Sequence, residues 1–579
     1  MGEDGAKAGG KSSDDLSRKN SAQYSDDHDG DCGDCLVNLS KACIPTSDSS
    51  PRLNVWTALE QAAARRTKKR NDAKSTMAKQ PADAQKSSNS TCLLVWGCLL
   101  CISGAASLIW TPFDILLQER TRMLRGLPAY EWWRLPPDEV FLRAYVFNYT
   151  NTEAFMNGDA DTLKVEEVGP YIFKEKLYHE NPTFHENGTM TYTAVRKLIY
   201  LPEMNTLETN ATILVPNMAV MASASYLAEA PFITKWGFNM MVRRAGSKPF
   251  VNAQVWDYFW NFTDPLFDVL ASIAPALVPT KNTGILHTVY EDFTDNVTVF
   301  TQPSNGDFKF FKIDQYNGSP GLNKYENPKC DSIQGSTEGV HYHQRVNRND
   351  TIYYLRKTIC RAVPLRWKND MLVRGIKAYK FILLNNTYDR PEVPEDECYR
   401  DPSYPILPSG VTDVSPCYYN MPITSSFPHL MYASDAVTRK LEGLDPSEEK
   451  HGSAAVIEPN TGIPLTAWAR SQSNLYMHNV NSFTNLKRFS NMPLPMFWLE
   501  YKQQGLPNHI YYLMYFVVKI VKPLQLYFSL ALITIGTAIY LATFRKLWSS
   551  HFGSPTKTAY TPVLRFKMSD LKSSGASNS

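Results

Sequence analysis

Residues 91–113, TCLLVWGCLLCISGAASLIWTPF, carry no charged side chain. As a helix rising about 1.5 Å per residue, this run is long enough to cross a hydrocarbon core of about 30 Å. A second uncharged run, PLQLYFSLALITIGTAIYLATF at residues 523–544, meets the same condition. Two membrane helices bracketing one large folded segment are therefore the frame into which everything else must fit. The first run is not read as a removable signal peptide, because ninety residues precede it without a short basic n-region.

Charge and sequons suggest the orientation. Arg65, Arg66, Lys68, Lys69 and Arg70 lie before the first run, and Arg545 and Lys546 follow the second. Lys519 and Lys522 on the inner flank of the second run weaken the signal, but the bias favours both tails in the cytosol. Eight N-x-S/T triplets without proline fall between the runs, at Asn148, Asn187, Asn210, Asn261, Asn296, Asn317, Asn349 and Asn385. Each is an acceptor for a glycan on an exposed lumenal loop. Asn38 and Asn89 also match but would be cytosolic and inert in this topology.

The expected layout is a disordered cytosolic tail (1–90), a first transmembrane helix (91–113), a glycosylated lumenal or extracellular domain (114–522), a second transmembrane helix (523–544) and a cytosolic C-terminal tail (545–579). In the middle segment, VEEVGPYIFKEKLYHE and GTMTYTAVRKLIYLPE alternate apolar and polar residues, as paired strands do. Residues 217–245 switch period. There Phe232, Trp236 and Met240 recur at helical spacing and end on Arg243 and Arg244. Such a stripe fits an ordinary helical core or a face that receives a ligand. From Thr288 the strand period returns, with a hairpin expected around Asn460 and Gly462.

Little in the chain points to catalysis. It has no G-x-S-x-G elbow, H-E-x-x-H pair or Walker loop, so no enzyme and no cofactor are expected. A near-balance of 60 basic and 57 acidic residues argues against nucleic acid as a partner. His341 and His343 could face one side of a strand with Glu338 nearby, but that spacing is unremarkable for zinc and no metal is expected. His179 and His185 sit in polar surroundings and read as surface residues. Cys32 and Cys35 form a C-x-x-C without a folded context, and Cys92 is a candidate for palmitoylation near the membrane face. Cys98 and Cys101 read as small buried residues of the span. Cys330, Cys360, Cys398 and Cys417 suit disulfides in an oxidising lumen, with three connectivities open. Tyr560 to Val563 has the Tyr-x-x-bulky form read by endocytic adaptors.

Seven stretches carry a family likeness: EEVGPYIFKEK (166–176), NMAVMAS (217–223), KCDSIQGSTEG (329–339), DTIYYLRKTICR (350–361), FPHLMYAS (427–434), LEGLDPSEEKHGS (441–453) and IEPNTGIPL (457–465). In these the chain resembles the class B scavenger receptor family, over residues of about 92 to 546, in a style closest to its insect members. The resemblance implies an α+β ectodomain: a large antiparallel β-barrel-like core with an internal tunnel, an apical helical bundle at about 214–280, and two membrane anchors. It implies the pairs Cys330–Cys398 and Cys360–Cys417, with Arg400 standing where one member of the family has a further cysteine. It also implies that Arg243 and Arg244, with Phe232, Trp236 and Met240, meet ligand at the apex.

The function so implied is a receptor that binds lipids (fatty acids, sterols, phospholipids) or lipoproteins and passes lipid through the tunnel toward the membrane. Its place would be the plasma membrane or the endosomal–lysosomal membrane, singly or as a homo-oligomer. Two alternatives share the layout. One is a docking and trafficking receptor that grips a soluble lumenal hydrolase at the apex. The other is a two-pass ligand-gated channel, for which the uncharged second run is a poor pore signal.

Overall fold

The structure is a computed structural model describing residues 82–552, apart from 121, 138, 274, 276, 277, 279, 291–293, 302–308 and 394–396. Cys32, Cys35, Tyr560, Val563 and most of both tails lie outside the described residues. By its contacts the chain divides after Lys86, and the architecture below is that of the second unit, Ser87–Ser579.

Two helices are long and apolar enough to cross a membrane. The first, Ala82–Ile109, stops short of Pro112, where a separate helix, Pro112–Arg120, begins. The second, Lys522–Phe552, is entered from Asn508–Tyr515 through a π-helical stretch, Phe516–Val521. Large apolar side chains such as Trp96, Ile102, Tyr527 and Phe528 point away from protein, which suits hydrocarbon and not water. The two helices touch through small residues. A β-carbon at Gly536 would lie 2.7 Å from Cys101 Sγ and 2.8 Å from the Gly97 carbonyl oxygen, so only glycine permits this approach. Nearby, the hydroxyls of Ser107 and Ser529 are 2.6 Å apart. Cys101 is thus partly buried in the contact, whereas Cys92 and Cys98 are exposed.

Among the described residues the strands are β1 (Val140–Tyr149), β2 (Leu163–Phe184), β3 (Thr189–Tyr200), β4 (Thr212–Pro216), β5 (Phe250–Gln254), β6 (Thr294–Phe300), β7 (Ile313–Tyr316), β8 (Thr351–Arg356), β9 (Arg361–Val373), β10 (Ile376–Leu383), β11 (Thr412–Asp413), β12 (Ile423–Ser426), β13 (Leu441–Glu442), β14 (Ala454–Ile457), β15 (Pro464–Met477) and β16 (Met492–Gln503). One sheet runs β7-β6-β3-β2-β1-β16-β15-β14-β10-β9-β8, and β4 pairs with β5 apart from it. β1 and β16 occupy the middle. Every residue of β16 from Met492 to Glu500 is buried, as befits a strand covered on both faces.

The barrel-like core expected from the sequence is corrected here. β7 and β8 end the path and do not pair, so the sheet is open. An irregular segment stands between the two edges. Ser336 O accepts from the Ile313 amide of β7 at 2.8 Å, and the Thr337 amide donates to Tyr353 O of β8 at 2.8 Å. The edge groups are satisfied by this segment without a closing ladder.

Several histidines are interior. His179, expected at the surface, is buried. Its ring stacks on Trp133 at 4.5 Å, and its Nδ1 lies 2.6 Å from Trp133 O. The helix Pro128–Arg134 supplies that lid, which strand alternation alone does not reveal. His185 is exposed. Burial pushes the His179 pKa down to about 3, and those of His341 and His478 to about 4.

Two expectations follow. Leucine at Gly536 should part the apolar helices. Cysteines placed at Ser107 and Ser529 should crosslink in membranes, and the Gly536→Leu background should abolish the crosslink; undiminished crosslinking would contradict the packing. The second concerns acid. Folded-state histidine pKa values below the unfolded value of about 6.5 mean that the unfolded chain binds more protons between about pH 6.5 and 4, so stability falls as pH drops through that window. Thermal unfolding should show a lower Tm at pH 5 than at pH 7, and an equal or higher Tm at pH 5 would refute it.

Candidate functional site

The helix Phe232–Ala245 leads from the sequence stripe to a surface. Phe238 is its buried residue, with Met241, Val242 and Ala245 packed toward the core. The opposite side is unusual. Phe232 is 77% exposed, Trp236 54% and Met240 49%, with Ile233 beside them. The stripe is therefore not core. Four large apolar side chains stand in the open along one side of this helix. Arg243 and Arg244 are exposed in the last turn, where cations suit the negative end of the helix. Neither makes an ion pair among the described residues.

This helix is seated far from the apolar helices. Phe238 meets Phe483 at 5.7 Å, and the Thr484 amide donates to Asn239 Oδ1 at 3.1 Å. Residues 482–484 lie in the β15–β16 connection. β16 runs from there to Gln503, close to the entry of the second apolar helix.

At the other end are two cavities. The inner one, about 410 Å³, is walled by β2, β8, β9, β10, β14, β15 and β16; Leu177, Val363, Leu365, Ala455 and Tyr501 contribute. The open sheet thus curls around this space. The outer one, about 360 Å³, lies between the feet of the apolar helices, against Phe113, Leu116, Leu117, Ile510, Leu513 and Val517. Pro136, Pro137 and Val340 line both. Each volume falls in the range of small-molecule sites.

The remaining sequence candidates are placed as follows. Cys330 is bonded to Cys398 and Cys360 to Cys417. Arg400 donates to Tyr404 O at 2.9 Å. Seven of the eight sequon asparagines are exposed, while Asn148 is partly buried and accepts from the Leu214 amide at 2.9 Å. His341 stacks on Phe311 at 5.1 Å, His343 lies 3.5 Å from Asp350, and Glu338 is engaged by the Tyr192 hydroxyl, so these three do not assemble a ligand set.

A different trio does meet. Glu167, His429 and His451 bring their ligand atoms within 4.8 Å of one another. Hydrogen bonding decides its chemistry. His429 Nδ1 accepts from the Asp445 amide and His451 Nδ1 from the Ser447 amide, both at 3.0 Å. A neutral ring that accepts at Nδ1 carries its proton on Nε2. His429 Nε2 accordingly donates to Glu167 Oε2 at 2.6 Å, and Trp498 Nε1 donates to the same oxygen at 2.7 Å. Metal ligands usually show the reverse, with Nδ1–H donating and Nε2 free. The trio therefore reads as a proton-holding brace. Burial, then the neighbouring His429, pushes the His451 pKa down to about 4. Sequence reading missed it because Glu167 and His429 stand 262 residues apart.

Comparison with known proteins agrees with this architecture. The CD36 family model matches residues 94–547. Scavenger receptor class B member 1 of Sus scrofa is 26% identical over 408 residues, covering 69% of this chain and 78% of that protein. Lysosome membrane protein 2 of Homo sapiens is 28% identical over 401 residues, covering 67% and 79%. With most of its length matched and two apolar helices in place, the chain belongs to the CD36 family, a family of non-catalytic membrane proteins.

Proposed function

We propose that this protein is a lipid-handling receptor: the exposed face of the Phe232–Ala245 helix captures lipidic or anionic ligands, and the two cavities give lipid a route to the membrane. The observation that carries the reading is that Pro136, Pro137 and Val340 form a common wall, one side chain thick, between a cavity inside the ectodomain and one between the feet of the membrane helices. An acyl chain gains about 0.8 kcal/mol per methylene buried, so apolar cavities of this volume can hold it without strong polar contacts. Arg243 and Arg244 steer anionic ligands to the stripe, and Phe232, Trp236 and Met240 offer the apolar contact. The tails lie in the cytosol, the sequons in the lumen or outside the cell, and the protein works at the plasma membrane or in the endosomal–lysosomal system.

The exposed stripe also favours a second reading, a docking receptor for a soluble lumenal protein, since an apolar patch flanked by cations suits a protein partner equally. Co-purification of a hydrolase that acid releases, with no bound lipid, would favour it.

The capture surface can be tested by pairing ligand uptake with surface abundance. Arg243→Glu with Arg244→Glu should reduce capture of anionic ligand per surface molecule and flatten its salt dependence. Phe232→Ala and Trp236→Ala should weaken capture of neutral and anionic lipid alike while changing stability by only about 0.5 kcal/mol, as exposed sites do. Phe238→Ala, from the buried side, should cost about 3–5 kcal/mol. Normal uptake per surface molecule in the arginine double variant would defeat the capture mechanism.

A further inference from the structure

Arg356 is the last residue of β8, on the wall of the inner cavity. Its Nε donates to Thr358 Oγ1 at 3.1 Å, and its guanidinium carbon lies 5.9 Å from the centre of the Tyr501 ring. It is half-buried, hydrogen-bonds the Tyr354 side chain, and lines both this cavity and a smaller neighbouring one of about 70 Å³ that Glu175 and Glu338 also line. A guanidinium is charged at every relevant pH, and such a charge beside apolar walls is costly unless an anion meets it.

The wall does not provide that anion. Glu175 is committed to Arg196 at 2.8 Å and to the Tyr290 hydroxyl at 2.8 Å. Glu338 accepts from the Tyr192 hydroxyl, and burial pushes its carboxyl pKa up despite nearby Arg196. Among the described residues, Arg356 makes no ion pair. The other cations along the inner cavity differ. Arg470 is held by Glu500 at 2.6 Å, Lys174 by Glu139 at 2.8 Å, and Lys176 is exposed to solvent. Arg356 is thus the half-buried cation left facing the space.

We propose that Arg356 receives the anionic head of a single-chain amphiphile inside the cavity, with the chain running past Pro136, Pro137 and Val340 into the outer, apolar cavity. A guanidinium offers parallel N–H donors that match a carboxylate or a phosphate. The two cavities differ in polarity in the required sense. The outer one is bounded by Phe113, Leu116, Leu117 and Leu513, with Arg120 as the cation at its edge. The ligand so held points its head away from the membrane. This inference rests on the reading of the cavities as a lipid site.

The test is equilibrium binding to the full-length protein in lipid nanodiscs, with oleate, oleoyl lysophosphatidic acid and oleyl alcohol as probes. These share a chain length and differ in head. Wild type should prefer at least one anionic probe over the alcohol by about ten- to a hundredfold. R356Q should erase that preference and leave alcohol binding unchanged, which also reports that the variant is folded. R356K, which keeps the charge but not the fork, should restore part of it. Preference for oleate alone points to a fatty-acid carboxylate, and preference for the lysophospholipid alone to a phosphate head. A parallel loss of all three probes in both Arg356 variants would reduce Arg356 to a structural role and overturn the proposal. Loss of preference in R120Q with retention in R356Q would place the head at the membrane side and overturn it equally. Binding of none of the probes by wild type would refute the lipid reading itself, and this inference with it.

Discussion

The pairing of β1 with β16 is the contact on which the rest depends. It joins Val140 to Gln503 and Val146 to Phe497 across most of the chain. Arg143 and Arg470 meet on Glu500 at 2.7 Å and 2.6 Å, so one largely buried carboxylate ties β1 to β15 across β16 and fixes the register. Because β1 begins soon after the first apolar helix and β16 ends just before the second, this pairing brings the two membrane helices side by side. The Gly97–Gly536 contact and the outer cavity both follow from that arrangement.

From this centre the sheet extends both ways and curls without closing. The curl leaves space between β2 and β8 that side chains do not fill, which becomes the inner cavity. The helical insertion between β3 and β6 lies against the opposite end of β16, so its exposed stripe and the membrane-side cavity occupy different ends of one rigid sheet. In the proposed function, capture and delivery would use these separate surfaces.

Much of this was legible in the sequence because it depends on local pattern. Two uncharged runs gave the membrane helices, and strand-like patterning gave β2, β3 and the stretches at β7, β8, β10, β14 and β15, but not β16, whose unbroken burial leaves no alternation to read. Other features depend on what meets across the fold. The cysteine pairing could not be chosen among three connectivities from spacing alone and came from family likeness. Closure of the sheet was expected and is absent, since whether β7 and β8 meet is decided by the irregular residues 335–337, which have no strand signature. The stripe at Phe232, Trp236 and Met240 has the same spacing whether buried or exposed. Here Phe238 and Val242, on the other face, take the core position. The Glu167–His429–His451 brace and the lack of an ion pair at Arg356 among the described residues have no local signature, as both depend on residues far apart in the chain.

Mass spectrometry of lipid extracted from the purified, detergent-exchanged protein bears most directly on the central claim. Lipid should be recovered in near-stoichiometric amount. Filling the shared wall by Val340→Trp should reduce it severalfold without lowering the yield of folded protein. Protein that carries no lipid above a detergent control, or lipid content indifferent to Val340→Trp, would contradict the claim that these cavities are a lipid passage.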